Sequence, residues 1–254
     1  SIAIEKGQKD ALFHLAILYA QQLKLDKAAE LLLLSIENGN NEALFILAYT
    51  YSVLGRLEDA EKYYLRAIEI GNTDALIHLA SFYHNKENYK EAEKYYHLSI
   101  KSGNISGYND LSYMYYQTNS NKSQALEYIN KACSLNPNPT FKETQIIIEV
   151  WNGIFKDIEK RVVDVIKEKE LENIEDLIQD LLIQQQKTIV LTLFHHAKIG
   201  KSLQDKYMVL YYVTLIINNQ LENNLLLRIP PELQTTIDDV IAKIKERQKI
   251  YGNN

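Results

Sequence analysis

Ala67-Ile68-Glu69-Ile70-Gly71-Asn72-Thr73-Asp74-Ala75-Leu76-Ile77-His78-Leu79-Ala80-Ser81-Phe82-Tyr83 is the stretch that decides the fold. Ala67 and Ile68 close one apolar helical pattern, and Gly71 stops it, since glycine tolerates the left-handed position just past a helix. Ala75, Leu76, Leu79, Ala80 and Tyr83 then open a second pattern at the 3–4 spacing of one helical face. The frame recurs upstream. Gly39 is followed by Ala43, Leu44, Leu47, Ala48 and Tyr51, and Gly7 by Ala11, Leu12, Leu15, Ala16 and Tyr19. Gly7, Gly39, Gly71 and Gly103 stand 32 residues apart. Self-similarity at such a period indicates stacked supersecondary units, each covering its apolar face with its neighbours, rather than one globular core.

The unit is a helix pair. In unit two the spacing predicts a first helix over 41–54, ended by Gly55, and a second from Leu57 with Ala60, Tyr63, Tyr64, Ala67 and Ile68 inward. Ala16, Ala48 and Ala80 on first helices, and Ala28, Ala60 and Ala92 on second helices, are small enough to let paired helices approach closely. Tyr19, Tyr51, Tyr83 and Tyr115 recur as the large knobs between units. Unit four departs slightly: Ser112 replaces the first alanine, and the loop 118–121 gains one residue.

The order Leu-Ala…Tyr…Ala…Tyr-Tyr…Ala resembles the tetratricopeptide repeat, as does the closing Leu135-Asn136-Pro137-Asn138. The links between units, as in Ala67, Gly71, Ala75, Leu79, Ala80 and Tyr83, are similar to those of the SEL-one-like branch, with Tyr63-Tyr64 and Tyr95-Tyr96 where that branch carries Trp-Tyr. The resemblance covers residues 1–139 and leaves 140–254 as a separate C-terminal α-helical domain. It implies an all-α, right-handed superhelical solenoid: a half unit, four helix pairs, and an irregular C-terminal helical cap or domain. It also implies a concave wall made by the first helices.

On that wall the resemblance places Asp10, Phe13, Ile17 and Gln21 in unit one, Glu42, Phe45, Tyr49 and Val53 in unit two, Asp74, Ile77, Ser81, His84 and Asn85 in unit three, and Asn109, Tyr113, Tyr116 and Gln117 in unit four. Tetratricopeptide proteins that hold a C-terminal carboxylate use Lys, Arg and Asn here, whereas Phe13, Phe45, Ile77 and Asn109 offer no base. A chaperone-tail clamp is therefore disfavoured. The expected partner is a protein or peptide with an apolar or aromatic segment. The competing reading makes the same aromatic residues repeat-to-repeat packing.

Beyond Phe141 the 32-residue register is lost. Phe141–Lys169 reads as helical with a break at Gly153, Asn173 as a cap followed by an apolar helix, and Thr188–Lys198 as its continuation. Leu203–Asn219 is apolar nearly all round, and Pro230-Pro231 starts a last helix.

Chemistry is sparse. His195-His196 cannot share a helical face, and His78 and His84 are six residues apart, so neither pair suits a metal. Gly200-Lys201-Ser202 matches the tail of a phosphate loop, but His195 stands where its first glycine belongs. The single Cys133 lies in an apolar helical pattern as a structural thiol. No cofactor, metal site or nucleophile–base pair is proposed, and no enzyme is expected. The net charge is −5, without the basic excess that phosphate contacts need, so nucleic acid is a poor partner. The longest apolar run, Met208–Ile217, falls short of the ~20 residues a membrane span requires. A soluble cytoplasmic protein is the expectation.

Ser1-Ile2-Ala3-Ile4-Glu5-Lys6-Gly7 matches the ends of later units and has no initiator Met, which reads as a fragment of a longer protein. The expected function is a non-catalytic interaction scaffold. The alternative is a sensor or regulatory arm of a larger signalling or defence switch ATPase. A cut between paired helices would leave Leu12, Leu15 and Leu18 uncovered, so self-association through the N-terminal repeat end is a further expectation.

Overall fold

The computed structural model describes residues 2–154, 156–169, 175–183, 190, 214 and 231–251. Among them every regular element is an α-helix. By packing, the chain forms two compact units, 1–111 and 112–254.

The first unit holds three helix pairs: α1 (Ile2–Gln21) with α2 (Leu25–Glu37), α3 (Ala43–Val53) with α4 (Leu57–Glu69), and α5 (Asp74–Asn85) with α6 (Tyr89–Lys101). The fourth pair is α7 (Ser106–Gln117), within which the division of units falls, and α8 (Lys122–Leu135). In the first unit each helix from α1 to α6 packs on the next, and α3 also touches α5. Ala16, Ala28, Ala48, Ala60, Ala80 and Ala92 are all fully buried, in keeping with small residues at the contacts between packed helices. The recurring tyrosines pack on the second helix of their own pair: Tyr51 on Tyr63 at 5.7 Å, and Tyr83 stacked on Tyr95 at 5.6 Å between ring centroids.

Two kinds of turn alternate. Between units, the Gly39, Gly71 and Gly103 N–H groups donate to Ile36, Ile68 and Ile100 carbonyls, and the following asparagine N–H reaches five residues back. These glycines have φ of +85°, +89° and +92°. Asn40, Asn72 and Asn104 then turn their side-chain oxygens onto the N–H groups of Glu42, Ala75 and Ser106, at 3.1, 3.1 and 3.0 Å, and so receive the next helix. Within units, the residue five places after each knob tyrosine donates its N–H to that tyrosine's carbonyl: Lys24 to Tyr19, Arg56 to Tyr51, Asn88 to Tyr83 and Ser120 to Tyr115. The left-handed residue in each of these turns is Leu23, Gly55, Glu87 or Asn119.

The N-terminus differs from expectation. The sequence breaks the chain at Gly7 into a half-helix and a new helix, whereas α1 runs unbroken from Ile2 to Gln21. Glycine inside a helix costs about 1 kcal/mol relative to alanine. Ending one helix and starting another orphans several backbone N–H and C=O groups, which costs more unless a partner helix compensates.

In the second unit α9 (Pro139–Trp151) is the central element: α8, α10 (Ile158–Glu168) and α11 (Glu175–Ile183) all pack on it, and α12 (Pro231–Tyr251) packs on α11. Asn138 caps α9 by accepting the Phe141 N–H at 2.9 Å, with Pro139 in the first turn. Gly153, at φ +77°, separates α9 from α10, as its position in the sequence suggests. Buried Ile146, Ile147 and Ile148 fill the centre, and Arg161–Glu149, Lys169–Glu143 and Lys142–Glu168 pairs link α9 to the region of α10. The cap at Asn173 and the Gly200-Lys201-Ser202 and His195-His196 motifs lie outside the described residues. So do the Thr188–Lys198 and Leu203–Asn219 helices, apart from Val190 and Thr214, which are helical and buried.

Candidate functional site

The first helices of the first unit carry their second-row residues on an accessible wall. On α3 Tyr49 is 51% exposed and Phe45 half-buried; on α5 Ile77, His78, Ser81 and His84 are half-buried. Their rings meet across the repeat junction. Phe45 lies 4.9 Å from His78, and Tyr49 stands edge-on to the same imidazole at 5.9 Å. Phe45 and His78 also line a cavity of about 410 Å³, together with Ile77, Ser81, Asp74 and Asp110, and Asn104 and Ser106 of the next turn. No Lys or Arg lines it.

The electrostatics of the cavity follow from burial. Loss of solvent pushes the His78 imidazole below its ordinary pKa, opposed by Asp74. Burial pushes the Asp110 carboxyl above the usual carboxylate range, opposed by the hydrogen bond from Asn109 Nδ2 at 3.1 Å. Deeper in the wall the Tyr96 hydroxyl is 3.4 Å from both Ser81 Oγ and His84 Nδ1, and burial raises its pKa, with Asp110 adding to the effect.

The structure thus gathers Phe45, Tyr49 and Ile77 into one surface. His84, one turn further along α5, faces Tyr89 and Tyr96 of α6 at 5.8 and 6.3 Å. Phe13 is half-buried on α1, with its ring 5.7 Å from His14. Asn109 is buried next to Asp110. Tyr113 and Tyr116 belong to the second unit, where both hydroxyls donate to buried Asp180, at 3.3 and 2.9 Å, and Arg247 approaches the same carboxylate at 3.5 Å. Tyr116 is fully buried, its ring edge-on to Trp151 at 5.6 Å. Sequence reasoning left out His78 and Asp110. The signal was present, because positions 14, 46, 78 and 110 form a column reading His, Ile, His, Asp beside the Phe, Phe, Ile, Asn column.

Other chemistry is thin. Cys133 is half-buried, and desolvation raises its thiol pKa, which disfavours the reactive thiolate. Among the described residues no group of His, Cys, Asp and Glu is placed to hold a metal ion, and no helix is long and apolar enough to cross a membrane.

Comparisons with known proteins agree with this architecture. Tetratricopeptide repeat profiles match residues 42–70 and 105–139, and a second such profile matches 75–103. The repeat region is a tetratricopeptide-like array. A search of curated protein sequences returns no significant match. Among solved structures, a tetratricopeptide repeat protein from Parabacteroides merdae is similar at TM-score 0.61 and 15% identity, covering 93% of this chain and 98% of that one. PilF of Pseudomonas aeruginosa is similar at TM-score 0.58 and 18% identity, covering 82% and 96%. The MamA protein is similar at TM-score 0.52 and 16% identity, covering 64% and 92%. At these identities the likeness is one of fold. Tetratricopeptide arrays are protein-interaction scaffolds, and the cavity lies on the first-helix side of this one.

Proposed function

We propose that this chain is a non-catalytic interaction scaffold that holds an apolar or aromatic segment of a protein partner on the first-helix wall of residues 1–111. We take the repeats to extend to residue 139, with 140–254 as a C-terminal helical domain. The observation that carries the reading is the cavity of about 410 Å³ lined by Phe45, Ile77 and His78, with Tyr49, half exposed, standing edge-on to the same imidazole. Exposed aromatic side chains over a pocket are the usual anchors of binding energy. In this reading Phe45, Tyr49 and Ile77 form the centre of the contact, and His84 and Phe13 its continuation along the wall.

A Phe45→Ala, Tyr49→Ala double variant tests this reading. Truncating two central anchors is expected to weaken partner binding by about 2 kcal/mol or more. Recovery of the partner from cell extract at the wild-type level, by a variant with an unchanged helical spectrum, would move the site elsewhere.

A second contact is proposed for α1. Leu15 and Leu18 are 43% and 54% exposed on one side of that helix, and we read this stripe as a self-association surface for a second copy of the chain.

A further inference from the structure

The cavity carries an asymmetry of charge that an apolar ligand leaves unused. Its lining includes two carboxylates, Asp74 and Asp110, and no Lys or Arg. Asp74 has an ordinary reason to be where it is, since it sits in the first turn of α5, where the helix dipole favours an acid. Asp110 has no such reason. It lies in the body of α7, is only partly accessible, and its one described hydrogen bond comes from the neighbouring Asn109 amide. A carboxylate withdrawn from water without a cation is costly unless something supplies the missing charge.

The remaining walls suit a long cationic side chain. Phe45 and Ile77 offer apolar surface to an aliphatic stem, and Phe45 and the two carboxylates line the same cavity. We propose that this cavity takes a lysine or arginine side chain of the bound segment, its stem against Phe45 and Ile77 and its charged end between Asp110 and Asp74. The inference rests on the groove reading above and sharpens it: the segment is apolar or aromatic with one basic residue set among its anchors. It is the reverse of a carboxylate clamp, because the wall supplies the negative charge and the ligand the positive one. Burial of Asp110 adds to the effect, since a cation in place restores the ionised form that desolvation disfavours.

The test uses the full chain as bait for a displayed library of random twelve-residue peptides. Enriched peptides are expected to share a Lys or Arg next to an aromatic or aliphatic residue, and to lose binding to the Phe45→Ala, Tyr49→Ala variant. One enriched peptide is then synthesised with its basic residue and with norleucine in its place, and both are titrated by fluorescence anisotropy. The norleucine form is expected to bind about tenfold more weakly, as is the basic form to Asp110→Asn, because each change removes one partner of a desolvated pair. Asp110→Asn should weaken the norleucine form no further, since a neutral side chain has no pair to lose. Asp74→Asn, at an exposed position, guards against misfolding and should weaken the basic form alone. Equal affinities of the two peptides, or enrichment without basic residues, would overturn the charge assignment and leave the groove standing. Failure to enrich any peptide sensitive to Phe45→Ala, Tyr49→Ala would overturn both readings.

Discussion

His78 shows how a single side chain couples the wall to pH. It faces Phe45 and Tyr49 of α3, Asp74 on its own helix and Asp110 of α7 across the cavity. Its pKa is lowered on folding, chiefly by burial. The sign follows from linkage: above the unfolded value of about 6.5 both states are neutral and the full stability is present. As pH falls below that value the unfolded chain binds the proton first, so stability is lost until the folded-state pKa is passed. We expect the melting temperature to drop between pH 7.5 and pH 5, and to drop less in a His78→Gln variant. Equal losses in the two proteins would show that the proton is taken up elsewhere. Asp180 is the opposite kind of residue, structural rather than exposed to a ligand. It gathers Tyr113, Tyr116 and Arg247 inside the second unit. Sequence could not have paired it with the two tyrosines, because the contacts span more than sixty positions and no periodicity links them.

At the scale of the element, the turns explain where glycine is required and where it is not. The junctions between units hold φ near +90°, well outside the left-handed well that side chains tolerate, and all three positions are glycine. The turns within units sit at +59° for Leu23, +57° for Glu87 and +49° for Asn119, inside that well, and only one of the four is glycine. An ordinary L-residue still loses about 1–2 kcal/mol there. Leu23→Gly, at a site 83% exposed, is therefore expected to raise stability by about 0.5–1 kcal/mol. Gly71→Ala, where an added Cβ would meet nothing within 4 Å, is expected to lower it by about 1 kcal/mol or more through the backbone alone. Urea midpoints moving the other way would refute this account of the turns. The helix pairs were legible because the alanines and tyrosines repeat every 32 residues. The within-unit turns were not, since Leu23 and Glu87 carry no turn signature and are set by the helices they join. Gly7 failed in the other direction, a turn-forming residue absorbed into α1.

For the molecule as a whole, the stripe of Leu15 and Leu18 sets an expectation for solution behaviour. Light scattering of the purified chain is expected to show mass rising with concentration. A Leu15→Lys, Leu18→Lys variant should stay monomeric at the same concentrations, since charge on an exposed apolar stripe opposes its burial. A wild-type chain that remains monomeric throughout would remove self-association from the picture. The Gly-Asn junctions have a consequence of another kind. Each ends one helix on a glycine and receives the next on the asparagine that follows it, in a turn of four or five residues. The glycine needs φ near +90° there, so a residue inserted between glycine and asparagine would separate the left-handed turn from the cap that receives the next helix. The extra residue of unit four lies instead between the knob tyrosine and the second helix, where Asn119 and Asn121 both take left-handed backbone. Length variation placed there leaves the wall-bearing helices in step. A chain built this way can lengthen its first-helix wall by copying 32-residue blocks, each carrying its own turn and cap.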